Sequence, residues 1–129
     1  MSLTSAMRTS STGMTAERFR MDVISMNIAG TNTVRTPEKD AYRRQNVLLT
    51  ASPEGVAVTK VEKDMSPLRP VYEPGNPAAD ENGFVYYSNV KPVQEMVDMM
   101  SASRAYEANI AAFNSSRGMI RAALTIGKM

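Results

Sequence analysis

Ten of the eleven methionines of this chain lie in its first 26 or its last 34 residues, and six of its seven prolines lie between Pro37 and Pro77. Proline removes a backbone donor and clashes inside a helix, so the middle is barred from long helices while the two ends are free to form them. Unbranched Met side chains lose little freedom in a helix and pack adaptably. The order helix, irregular middle, helix follows. A spacing of seven supports it at both ends. In the first segment Met7, Met14, Met21 and Ile28 make a complete apolar row, beside a half-polar row of Leu3, Ser10, Glu17 and Ile24. In the last segment Met99, Tyr106, Phe113 and Ile120 repeat the first row, and Met96, Ser103, Ile110, Arg117 and Leu124 repeat the second.

The fold class expected is mainly α, with long N- and C-terminal helices pairing as a coiled-coil-like hairpin around a small irregular and β middle. The segments are 1–30, 31–91 and 92–129, with the terminal segments packing together as one domain. Gly30 and Gly127 stand where glycines end helices, and Lys128 favours the dipole at the last turn. Pro92 suits a first helical position. It leaves Lys91 as an N-cap without a side-chain acceptor, with Gln94 placed to bond back to the cap. In the middle, residues 42–50 and 56–61 read as strands around a turn at 51–55, and 84–87 as one more short strand. Residues 70–83, with three Pro, two Gly and three carboxylates, read as a solvated acidic loop.

The chain has no His and no Cys, which removes the commonest general base and metal ligand, thiolate nucleophiles and disulfides. Asp80 and Glu81 are adjacent, so in an extended segment they point to opposite faces and do not flank one bond. Glu73, Asp80 and Glu81 lack the spacing of a calcium loop, and no phosphate loop or nucleophile elbow occurs. The reading is a non-enzyme with no cofactor and no metal. The net charge is only +2, and acidic Glu38 and Asp40 interrupt the basic cluster Arg35, Lys39, Arg43 and Arg44, which argues against nucleic acid as a partner. The longest uncharged run, between Asp22 and Arg35, is short and polar, so no membrane insertion is expected. Arg8, Arg18 and Arg20 are too few for a cationic membrane-surface helix. Residues 1–10 carry no apolar run of the kind a cleaved leader needs.

What remains is surplus apolar surface. The middle offers little to cover two long helices, so the stripes are expected to pack between molecules. Ala102, Ala105, Ala108, Ala111, Ala112, Ser115, Ser116 and Gly118 would allow close helix approach, with Ala111, Ser115 and Gly118 forming a groove of small residues. The candidate assembly surface is Met7, Met14, Met21, Ile24 and Ile28 on the first helix. On the second it is Met96, Met99, Tyr106, Ile110, Phe113, Gly118, Ile120 and Leu124. A cytoplasmic helical adaptor or export chaperone, showing the same stripes to a client, is the alternative.

Three segments carry a family resemblance. NVKPVQEMVDMMSASRAYEAN at residues 89–109 resembles the C-terminal signature of the bacterial flagellar rod and hook (axial) proteins. VYEPGNPAADENGFV at 71–85 is similar to the segment typical of proximal-rod C-type subunits, and GMTAERFRMDVISMNIA at 13–29 resembles the N-terminal axial motif. Gly30, Asn76 and Lys91 depart from residues usual in that family. The resemblance implies a structural subunit of the flagellar basal-body rod whose terminal helices pack with neighbours into a helical tube that transmits torque. It also implies partners: copies of itself, other rod subunits, an adaptor between the MS ring or export gate and the rod base, and the type III export apparatus, which would export the chain without a cleaved signal.

Overall fold

In the computed structural model, which describes residues 2–128, the chain runs α1 (Leu3–Ala29), β1 (Gln45–Ser52), β2 (Gly55–Lys63), β3 (Arg69–Tyr72), β4 (Phe84–Tyr87) and α2 (Pro92–Gly127). The mainly α hairpin with a β middle is therefore the architecture. At 1.5 Å per residue the 27 residues of α1 and the 36 of α2 extend about 40 and 54 Å. Serine caps α1 at both ends of a reciprocal pair: Ser2 Oγ accepts from Ser5 N at 3.1 Å and Ser5 Oγ accepts from Ser2 N at 3.0 Å. Pro92 opens α2 and Lys91 supplies no side-chain cap. Gln94 does not bond back to the cap; its Nε2 donates to Asp98 Oδ1 at 3.3 Å.

The helices are antiparallel. Asn27 reaches Glu95 near one end, and Gly13 meets Asn109 fourteen residues further along each helix. A Cβ on Gly13 would lie 2.6 Å from Asn109 Oδ1, so glycine here serves a close helix crossing. On this register Leu3 lies level with Met119, and the last two turns of α2 extend past α1. No helix among the described residues is long and apolar enough to cross a membrane.

Both β pairs are antiparallel hairpins. β1 and β2 turn tightly at Pro53-Glu54, and the register slips once between Leu48 and Leu49, leaving Thr59 as the extra residue of a bulge. Gly55 adopts φ +138° and its Cα sits against Thr12 of α1, and Val56 N donates to Thr12 Oγ1 at 3.1 Å. A two-stranded hairpin is marginal in water; this one leans on α1. The loop expected over 70–83 is shorter than read from sequence. Val71 and Tyr72 pair with Val85 and Phe84, because alternating Val and Tyr form a strand once β4 supplies an edge. Residues 33–35 extend this sheet: Arg35 N donates to Tyr86 O at 2.8 Å and Ser88 N to Thr33 O at 3.1 Å.

Among the described residues the buried apolar ones are Ala16, Val23, Ile24, Ala41, Leu68, Val85, Val90 and Ala102. Ala16, Val23 and Ile24 sit on α1, Ala102 on α2, Val85 on β4, and Ala41, Leu68 and Val90 in the connecting segments. Gly30 follows α1 with φ −87°, so it is not the left-handed cap that its position suggested. A Cβ there would lie 2.5 Å from Tyr42 Cγ, and the Tyr42 hydroxyl is tied to Asn27, so the ring cannot step aside. Gly30→Ala is expected to destabilise the protein by about 1–3 kcal/mol through overpacking, despite alanine's better helix propensity. Urea unfolding measures this, and a stabilised variant would refute it.

Candidate assembly surface

A buried polar junction holds the hairpin against the β segments. Asn27 on α1 and Glu95 on α2 are 1% and 0% exposed. Asn27 Nδ2 donates to Gln45 O at 3.0 Å and to Glu95 Oε2 at 3.1 Å. Its Oδ1 accepts from Tyr42 OH at 2.8 Å and Gln45 N at 3.0 Å. Arg44 Nε donates to the other Glu95 oxygen, while its remaining nitrogens reach Asn46, Asp98 Oδ2 at 3.3 Å and Asp64 Oδ2 at 3.8 Å. Arg44 N donates to Asn89 Oδ1 at 2.8 Å. Among the described residues no buried side-chain polar atom lacks a partner. Satisfied in this way, the junction specifies one arrangement of four segments, where an apolar core would tolerate several.

Ion pairs take up the three arginines of the basic cluster. Arg35 and Arg43 both pair with Asp40, at 3.2 and 3.1 Å, and Arg44 is spent on Glu95 and its neighbours. The acidic loop is likewise built into the fold. Asp80 Oδ1 accepts from Phe84 N and Asn82 N at 2.9 Å and Oδ2 from Tyr86 OH at 3.1 Å, while Glu73 takes the Tyr87 hydroxyl at 3.0 Å. Asp80 is thus a loop staple and not the free solvated side chain read from sequence. The Phe84 amide above all, with the Tyr86 hydroxyl, holds its carboxyl below the ordinary 3.8. A depressed carboxyl stabilises above its unfolded value and loses that contribution as pH falls through the folded one. The Phe84 amide resonance should therefore titrate with a midpoint below 3.8, and a midpoint at or above it would refute the staple.

The residues proposed from sequence separate onto different faces. On α2, Glu95, Met99, Ala102, Tyr106, Asn109, Phe113, Ser116 and Ile120 recur every three or four residues and are buried or half-buried. This is the face toward α1, so Met99, Tyr106, Phe113 and Ile120 serve the hairpin within one chain. Ile110 is half-buried on its flank. On α1, Ile24 is buried and Met7, Met14, Met21 and Ile28 are all half-buried. The half-polar row, not the Met row, supplies the buried Ser10 and Ile24, since α1 must face both α2 and the β1–β2 hairpin.

Met96, Gly118 and Leu124 lie elsewhere and are exposed. Met96 belongs to a ridge with Val93, Val97 and Met100, 54–75% exposed, and beyond the charged Arg104 and Glu107 the same face carries the small exposed residues Ala108, Ala111, Ser115 and Gly118. Among the described residues nothing outside the helix's own backbone lies within 4 Å of a Cβ built on Gly118, so they leave the groove of small residues unfilled. Of this ridge the heptad rows contain only Met96, because the Met99 row dominates them. Its signal was present as apolar residues at 93, 96, 97 and 100, the i, i+3, i+4, i+7 pattern of a helix face.

Residues 81–126 match the family model described as flagellar basal body rod FlgEFG protein C-terminal. That match covers β4 and nearly all of α2, the helix that carries the ridge. Over almost the whole length the chain is similar to curated proteins named flagellar basal-body rod protein FlgC. It is 44% identical to that of Borreliella burgdorferi, over 98% of each chain. The FlgC of Bacillus subtilis is 37% identical, over 95% of this chain and 97% of its own. That of Salmonella typhimurium is 40% identical, over 89% and 90%. Similarity of this extent runs through both helices, the junction and the β middle together, and the chain belongs to the FlgC family of flagellar basal-body rod proteins.

Proposed function

We propose that the chain is a structural subunit of the flagellar basal-body rod that polymerises through its terminal helices into a torque-transmitting tube. The observation that carries this is the ridge: four large apolar side chains exposed in one row on α2, with small residues farther along the same face that admit a neighbouring backbone. A soluble monomer seldom leaves such a row uncovered, and contacts between unlike faces generate helical tubes. The function is mechanical and requires no bond chemistry. Its partners are copies of itself, other rod subunits and the adaptor at the rod base, and it reaches them through the flagellar type III apparatus. The candidate assembly residues divide accordingly. Met96, Gly118 and Leu124 meet neighbours directly, and the half-buried Met rows shape the hairpin that presents them.

Gly118 tests the reading. Glycine inside a helix costs about 1 kcal/mol relative to alanine, so an exposed Gly118 weakens α2 unless a neighbour needs the space. Gly118→Leu is expected to raise helicity in circular dichroism and to abolish swimming. Normal motility would remove the small-residue groove from the interface, and absence of the chain from purified basal bodies would overturn the rod assignment in favour of an adaptor.

A further inference from the structure

Besides the ridge, the fold leaves a second uncovered apolar feature on a different face. Between α1 and β2 lies a groove of about 400 Å³ in which Thr12, Thr15, Ala16 and Phe19 face Val56 and Val58. We infer that the α2 ridge of one copy seats in the α1–β2 groove of a second copy, a head-to-tail contact that rests on the rod reading and names the surfaces it uses.

Direction and charge select this occupant. Copies that share one axial orientation bring α2 of one against α1 of the next antiparallel, since the two helices are antiparallel within each chain. Seating Val97 beside Phe19 and Met100 beside Ala16 then fixes the register. Glu107 lies seven residues, about 10.5 Å, beyond Met100, and Arg8 lies eight residues, about 12 Å, before Ala16. The two charges therefore come level across the contact. Both are exposed, and neither is in an ion pair within its own chain among the described residues. Ridge and groove occupy different faces, so a bound copy still offers its own free groove or ridge and the contact does not close on two.

The chain contains no cysteine, so introduced pairs report without background. Phe19→Cys with Val97→Cys, and separately Thr15→Cys with Met100→Cys, are expressed as full chains in swimming cells, oxidised, and basal bodies are purified. At least one pair is expected to give a species of twice the 14.1 kDa chain that neither single variant gives. Arg8→Glu or Glu107→Arg should lower its yield about two- to fivefold, and the two reversals together should restore it. If the chain is present in basal bodies but neither pair cross-links, or the cross-linked partner has another mass, the contact is overturned and the rod reading stands. If the unsubstituted chain is absent from basal bodies, both fall.

Discussion

Glu95→Ala is expected to lower the unfolding free energy by about 3–5 kcal/mol, because it removes a fully buried carboxylate together with the hydrogen bonds it accepts from Asn27 and Arg44, leaving buried donors unsatisfied beside a cavity. The substitution leaves one N–H of the Asn27 amide, 1% exposed, and the Arg44 Nε–H without their acceptor, and it opens a space where α2 begins. In a domain this size the loss amounts to a fall in melting temperature on the order of 10–20 °C. Glu95→Gln keeps an acceptor for Arg44 and should cost less than half as much. Thermal and urea unfolding of both variants decide the matter. A Glu95→Ala protein within about 1 kcal/mol of the parent would show that apolar packing alone orients the hairpin.

Val97→Asp should have the opposite profile. Its side chain is 54% exposed, so the isolated protein should unfold within about 0.5 kcal/mol of the parent, yet swimming should be lost because a neighbour would have to bury a carboxylate without a partner. Phe113→Asp places the same charge on the face toward α1, sixteen residues along one helix. It should cost several kcal/mol in the monomer before any assembly is attempted. Paired melts and motility assays separate the two faces. Normal swimming by Val97→Asp with an unchanged melt would place the ridge outside the interface, and a stable Phe113→Asp monomer would contradict the hairpin register.

The two terminal helices were legible in sequence because their cause is local. Met rows recur with helical period at both ends, and proline clusters between them. Pro92 as the opening of α2 and the first β-hairpin were legible for the same reason, since turn and strand chemistry act within a few residues. β3 was not: Val71 and Tyr72 become a strand only when β4, twelve residues later, offers its edge. Gly30 shows the limit in one residue. Its place after a helix is readable, but the constraint on it comes from a Tyr42 ring held by Asn27.

The candidate surface follows the same division. Periodicity locates apolar stripes but not what each will face, and α2 carries two, offset by a few residues. Only the tertiary arrangement assigns Met99, Tyr106, Phe113 and Ile120 to α1 and leaves Val93, Met96, Val97 and Met100 in solvent. That choice is made by the junction of Asn27, Arg44 and Glu95, whose members are 17 and 51 residues apart along the chain. Buried polar groups must find partners wherever the fold brings them, so the rotation of α2 about its axis, and with it the outward face, depends on contacts that no local pattern contains.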